Sequence, residues 1–213
     1  MKNKDIKSET FEVDTLYMEH EINFSHILKL LDLLNGNQSD YLIIKMKDVI
    51  KGSFANAIEF SDILHSSNRK IIIMCSGIIN LTGVIPLFAN HDNDKIVFHD
   101  AKFILNLIDY KENYVEPEYQ NKFNEIIIEL LDRNTLLTSK EITALTHTDK
   151  VFSAEEFMEL GIVEDIYSML TDNKSDSNII KNIIMRKEIF ERRNERDKMK
   201  CEGRLLFTPI CNN

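Results

Sequence analysis

Cysteine, proline, glycine and tryptophan are all scarce in this chain. Its 213 residues include three cysteines, three prolines, six glycines and no tryptophan. The cysteines, Cys75, Cys201 and Cys211, are odd in number and show no CxxC spacing, which argues against a disulfide framework and favours a reducing cytoplasm. So few prolines and glycines leave little room for long irregular linkers. The sequence therefore predicts a folded, cytoplasmic protein.

Long apolar runs are missing as well. The longest apolar stretches are about ten residues and are interrupted by polar ones, whereas a membrane-spanning helix needs roughly 20. The first residues, MKNKDIKSETFEVD, are polar and contain no apolar run of signal-peptide length. We therefore expect neither a membrane span nor a secretion signal.

Positive charge is also in short supply. The 26 lysines and arginines face 35 aspartates and glutamates, for a net charge of −9. Such a surface repels phosphate, so we expect no nucleic-acid partner. Residues 179–204 are the exception, because basic side chains outnumber acidic ones there beside a partial apolar stripe. A helix of this kind packs on its own domain or a neighbouring subunit, docks an acidic partner, or lies on a membrane surface.

Apolar strands alternate with amphipathic helices along most of the chain. Compact apolar runs predict strands at residues 16–22, 41–46, 70–75, 95–98, 103–107 and 162–167. Helical spacing of apolar residues predicts helices at 24–34, 53–66, 78–90, 119–137, 153–161 and 179–200. This order predicts an α/β fold, with a parallel sheet flanked by helices. We divide the chain into a flexible segment (1–14), one domain (15–170), and a linker with a charged C-terminal helix (171–213).

Two strings in this order resemble a known family. Residues 152–166, FSAEEFMELGIVEDI, contain a capping box formed by Ser153 and Glu156. A strand–Gly–helix unit at 71–90 is followed by KIVF and AKFI. Together they are similar to the Clp protease proteolytic subunit and its relatives in the Clp/crotonase superfold, over about residues 16–167. The resemblance implies a ββα superhelix.

The resemblance also implies where a serine, a histidine and an aspartate would stand in a peptidase. The family's G-x-A-x-S-(M/A)-G turn lines up with residues 77–83, which places Leu81 at the nucleophile position. The histidine position falls on Asn106 and the aspartate position on Leu145. Leucine has no ionisable group, and asparagine is no base near neutral pH. We therefore predict that all three catalytic positions are degenerate.

The oxyanion loop implied by the resemblance is altered too. The family's SPGG string falls on Lys47-Asp48-Val49-Ile50, which has lost both glycines. Without them the backbone is less able to adopt an open loop that aims an N–H at a substrate. A shift of one or two residues would bring Gly52 into the loop instead.

Other polar residues lie near these positions. Ser76 precedes the Gly77 turn, His99 and Asp100 lie close to the histidine strand, and His147 and Asp149 flank Leu145. We interpret Ser76 as a strand-end residue, since it lies several residues before the helix start that presents a nucleophile, and His99 and Asp100 as a polar turn. A misalignment of two or four residues would bring His147 or Asp149 near the site, but Leu81 would still offer no nucleophile. The six histidines show no HxH or HExxH spacing. The sequence predicts neither a metal nor a cofactor.

The favoured hypothesis is a Clp-protease-like subunit without catalysis, acting in oligomer assembly or protein interaction. Its partners would be copies of itself, an active Clp-type paralogue in a mixed oligomer, or a AAA+ unfoldase. Two alternatives stay open. One is a crotonase-like enzyme that polarises an acyl-CoA thioester with backbone N–H groups, and the other is a serine peptidase with a relocated site.

Overall fold

The structure is a computed structural model, which describes residues 12–36, 39–89, 94–105, 117–146, 148, 150–163 and 165–167. The chain divides into two units, Met1–Asp172 and Asn173–Asn213. All described residues lie in the first unit. The linker and C-terminal helix predicted for residues 171–213 lie outside the described residues and stay predictions.

The elements follow one another in an alternating order. They are β1 (Val13–Ile22), α1 (Phe24–Asn35), β2 (Tyr41–Gly52), α2 (Phe54–His65), β3 (Lys70–Ser76), β4 (Ile78–Ile79), α3 (Leu81–Val84), a 3-10 helix (Ile85–Phe88), β5 (Asp94–Phe98), β6 (Lys102–Ile104), α4 (Pro117–Asn134), α5 (Ser139–Thr146), β7 (Val151–Ser153), α6 (Ala154–Glu159) and β8 (Asp165–Tyr167).

Five of these strands form a sheet in the order β1-β2-β3-β5-β8, and every neighbouring pair is parallel. Strands β2 and β3 lie inside this sheet, and their apolar runs are buried on both faces, as expected for central strands of a covered parallel sheet. A smaller sheet has the order β4-β6-β7. The predicted α/β fold with a parallel sheet and flanking helices is confirmed.

The helices pack one face each against a common core. Helix α1 starts after Asn23, whose side chain forms a capping box with His26, and ends before Gly36. Helix α2 buries Phe54, Ala57, Phe60 and Leu64. Ile58 and Ile63 are partly buried and also pack against the core. Ser53 occupies the N-cap position of α2, although its side chain makes no capping hydrogen bond.

Several predicted boundaries were wrong. Strand β1 begins at Val13, inside the segment predicted to be flexible. Residues 78–90 do not form one helix, because Ile78 and Ile79 pair with β6 as a short strand before α3 begins. Pro86 lies in the first turn of the 3-10 helix that follows, where its missing N–H removes no interior hydrogen bond. Helix α5 and strand β7 were not predicted.

The C-terminal part of the domain is organised by α6. Ser153 accepts a hydrogen bond from the Glu156 backbone N–H, and Glu156 accepts one in return from the Ser153 backbone, so the predicted capping box is confirmed. Phe157 of α6 stacks on Phe103 of β6 with ring centroids 3.8 Å apart. The predicted strand 162–167 is shorter than expected, since it begins at Asp165. Among the described residues, none of the helices has the length and apolar character needed to cross a membrane.

Candidate active site

The predicted nucleophile position lies at the start of α3. Asn80 occupies the N-cap and Leu81 is the first helical residue. The Leu81 side chain is in the hydrophobic core and is only 2% exposed, and the neighbouring Thr82 is 1% exposed. Helix α3 contacts β1, β2, β4 and β6, so this end of the helix is enclosed by both sheets. Position 81 therefore faces protein interior rather than an open cleft.

Asn80 fixes the turn that leads into α3. Its side-chain oxygen accepts hydrogen bonds from the Gly83 N–H at 3.3 Å and from the Thr82 hydroxyl at 2.6 Å. Its side-chain nitrogen donates to the Ile50 carbonyl at 2.7 Å, and its backbone N–H donates to the Val49 carbonyl at 2.8 Å. Asn80 therefore caps the helix and also ties it to the end of β2.

Asp48 of β2 also bonds to the turn that precedes α3. Its side-chain oxygen accepts a hydrogen bond from the Ile78 backbone N–H at 3.0 Å. A Cβ atom added at Gly77, whose φ is +67°, would lie 2.1 Å from that Asp48 oxygen. Only glycine fits beneath the carboxylate in this left-handed conformation. The Gly77 carbonyl accepts from the Lys102 N–H at 2.8 Å, which joins the turn to β6.

The segment at the position implied for the oxyanion loop, residues 47–50, lies within β2. Lys47 pairs with Glu19 of β1 and Lys51 pairs with Glu21, so Asp48, Val49 and Ile50 form a bulge without a partner in the β1 register. These three residues are bonded instead to Ile78 and Asn80. The pairing register shifts between Glu19 and Glu21, where His20 and Asp48 both have positive φ. Gly52, the alternative loop residue, also has a positive φ, and a Cβ there would come within 3.0 Å of the Ile22 backbone. It therefore serves a close contact between β1 and β2.

The other two predicted catalytic positions are described in part. Asn106 lies outside the described residues. The preceding residue, Leu105, is buried in the same hydrophobic cluster as Leu81. Leu145 lies in α5 and is a partly buried side chain packed against that cluster. The structure thus places Leu81, Leu105 and Leu145 around one apolar core.

None of the described alternative residues assembles with Leu81 into a polar site. Ser76 ends β3, opposite Lys47 of β2. His99 lies in a turn, and its ring Nδ1 is 2.9 Å from a Glu155 carboxylate oxygen in an exposed pair. Asp100 shares that exposed turn. His147 and Asp149 lie outside the described residues.

Other reactive groups in the described part of the chain offer little chemistry. Cys75 is fully buried, and burial raises the pKa of its thiol far above the usual range, so it stays protonated and unreactive. No group of three or more His, Cys, Asp or Glu side chains within the described ranges is placed to hold a metal ion. Around Leu81, where the end of β2 meets α3, the described residues present hydrogen-bonded backbone and an apolar side chain.

A family model described as Clp protease matches residues 3–169 of the chain. This chain belongs to the Clp protease family. The match spans β1 to β8 and includes the Gly77–Gly83 turn, so the described domain is the Clp protease domain. Among curated proteins, no sequence matches this chain.

Solved Clp protease structures share the fold. ClpP1 from Listeria monocytogenes has a TM-score of 0.60 and 16% identity, and the match covers 73% of this chain and 91% of that chain. The ClpP protease catalytic domain from Plasmodium falciparum has a TM-score of 0.59 and 18% identity, covering 72% of this chain and 84% of that chain. At such low identity these likenesses establish the fold and nothing finer.

Two residues of this Clp protease domain have roles that the sequence did not predict. Asn80 carried a signal, because asparagine one residue before a helix is a preferred N-cap. The hydrogen bond from its side-chain nitrogen to the Ile50 carbonyl carried no such signal, because it depends on how β2 meets α3 in space. Asp48 carried no comparable signal, since its role depends on Gly77, 29 residues later in the sequence.

Proposed function

We propose that this chain is a catalytically degenerate Clp-protease-like subunit that acts through assembly or protein interaction. The observation that carries the proposal is the burial of Leu81 in the core at the start of α3. A peptidase nucleophile must carry an ionisable oxygen or sulfur and must reach a substrate carbonyl. The Leu81 side chain meets neither requirement.

The neighbouring features support the same proposal. Leu145, at the position implied for the aspartate, packs against the hydrophobic cluster. The segment implied for the oxyanion loop is bonded into the domain at Asp48, Val49 and Ile50. Asn106 enters the proposal from the sequence alone, as a residue that cannot take a proton from a nucleophile. The Clp protease match favours this proposal over acyl-CoA chemistry.

An exposed apolar stripe on α1 supports the assembly role. Phe24, Leu28 and Leu31 follow the i, i+4, i+7 spacing of one helix face, and Phe24 and Leu28 are 57% and 48% exposed. Contiguous exposed apolar side chains of this kind mark interaction surfaces. Contact with a second subunit would remove them from water, at roughly 25 cal/mol per Å² of apolar area.

The proposed partners are copies of this chain, an active Clp-type paralogue in a mixed oligomer, or a AAA+ unfoldase. A cytoplasmic location, favoured by the cysteine content, belongs to the same proposal. The apolar stripe on α1 could contact either another copy of this chain or a paralogue of the same fold. The same surface would therefore serve a homomeric or a mixed assembly.

Two measurements test the proposal. A fluorogenic peptide assay should show no hydrolysis above buffer, and size-exclusion chromatography with light scattering should show a mass well above 24.9 kDa. Leu28→Glu should weaken the assembly, because it places a charge in the stripe. Lys29→Glu, on the neighbouring exposed position, is the matched control and should leave the mass unchanged. Peptide hydrolysis, or a monomer at all concentrations, would contradict the corresponding half of the proposal.

A further inference from the structure

The end of β2 is tied to the segment before and within α3 at four successive residues. Asp48 accepts from the Ile78 N–H, and the Val49 and Ile50 carbonyls accept from Asn80. The Lys51 carbonyl accepts a longer hydrogen bond from Thr82, at 3.4 Å. Residues 48–51 therefore have no stretch that is free to swing away from position 81.

Two side chains, those of Asp48 and Asn80, link the end of β2 to the segment that leads into α3. The carboxylate of Asp48 and the amide of Asn80 each bridge from one segment to the other, at 3.0 and 2.7 Å. The Nδ2–Ile50 bond adds nothing to the capping of α3, which uses the side-chain oxygen of Asn80. Its effect is to hold the β2 end against the helix.

The backbone conformation of Asp48 also favours the contact between the end of β2 and α3. Asp48 has φ of +50°, a conformation that costs most residues about 1 kcal/mol or more and that aspartate tolerates better than most. In this conformation the carboxylate lies directly above Gly77. A residue held at positive φ with its side chain bonded across the junction is over-determined by its surroundings.

We propose that Asp48 and Asn80 form a latch that holds residues 48–51 against α3 and keeps position 81 closed to peptides. This inference rests on the proposed function and deepens it. The latch is a second barrier to hydrolysis, independent of the missing nucleophile. A serine placed at position 81 would still lie behind a bonded backbone.

Thiol accessibility at position 81 tests the latch directly. Leu81→Cys is treated with N-ethylmaleimide under native conditions, and labelling of each cysteine is followed by peptide mass spectrometry. Ile78→Cys is the reference, because Ile78 lies three residues earlier and is 44% exposed. We expect Leu81→Cys to react at least about 100-fold more slowly than Ile78→Cys, as a side chain buried in a closed junction should.

Latch variants in the Leu81→Cys background then separate the two side chains. Asp48→Gly removes the carboxylate but accepts the positive φ, and Asn80→Asp keeps the helix cap while losing the bond to Ile50. Each should speed labelling about fivefold, the change expected for one hydrogen bond of ordinary net strength. Asp48→Asn keeps an acceptor for the Ile78 N–H and should label like the parent.

Three outcomes would overturn the latch. Labelling of Leu81→Cys as fast as Ile78→Cys would show that the position is open. Unchanged labelling in both latch variants would show that the two side chains do not hold it closed. Equal acceleration at the buried Cys75 would show opening of the whole domain. None of these outcomes depends on peptide hydrolysis, so the latch and the proposed loss of catalysis fail separately.

Discussion

Replacing Leu81 by serine should be costly to stability. Leu81 is 2% exposed within the core cluster, and deleting a buried leucine side chain to Cβ typically costs 2 to 5 kcal/mol. Serine adds a hydroxyl, and a buried hydroxyl without a partner costs about 1 to 3 kcal/mol more. We expect Leu81→Ser to lower the free energy of unfolding by about 4 kcal/mol. For a domain of this size, that corresponds to a fall in Tm on the order of 10 °C.

Urea unfolding followed by circular dichroism measures this loss. Leu81→Ala separates the cavity from the hydroxyl and should cost about 3 kcal/mol, while the volume-conserving Leu81→Met should cost less than about 1.5 kcal/mol. A loss below about 1 kcal/mol for Leu81→Ser would refute the reasoning. It would mean that position 81 still tolerates a polar side chain, as a working nucleophile position must.

Three further predictions concern catalysis, pH and the α6 cap. The double variant Leu81→Ser, Asn106→His should not cleave a fluorogenic peptide, because Leu145 and the bonded 48–51 segment are unchanged; activity above buffer would overturn this account of the loop. Burial alone would raise the pKa of Asp14, but hydrogen bonds from Ser39 and Arg69 and the guanidinium charge outweigh it and hold the pKa below its ordinary value. Because the folded-state pKa is the lower one, Asp14 contributes stability above about pH 4 that is lost as pH falls. Asp14→Asn should therefore flatten the decline of Tm between about pH 5 and pH 2, and an unchanged slope would count against the ion pair. Ser153→Ala should cost about 1 kcal/mol in urea unfolding by removing the α6 cap, with the exposed Ser25→Ala as the comparison.

Elements with strong local signals were predicted well. The apolar run before Ser76 became the central strand β3, because strands covered on both faces need continuous apolar sequence. The capping box at Ser153 marked the start of α6, because its donors and acceptors all lie within three residues. The order of these elements predicted the parallel sheet, and the strings at residues 71–90 and 152–166 carried the resemblance to Clp proteases.

The incorrect helix prediction for residues 78–90 has a physical cause. Residues 78–90 have helical apolar spacing, yet Ile78 and Ile79 pair with β6, and Lys102 of that strand hydrogen-bonds Gly77. Tertiary pairing of this kind overrides local spacing.

The candidate site was predictable in composition but not in geometry. The resemblance to the family's turn predicts, from the sequence alone, that Leu81 stands at the serine position. That it is buried, and that Asp48 and Asn80 bind across the junction, depends on how β2 and α3 approach each other. These contacts join residues about 30 positions apart, which no local pattern records.

The loss of serine chemistry is the central claim, and a fluorophosphonate probe tests it most directly. The purified chain is incubated with the probe beside an active Clp protease, and labelled peptides are identified by mass spectrometry. We expect labelling of the active protease and no labelled serine in this chain. A stoichiometric adduct on any serine of this chain, with the fold intact, would contradict it.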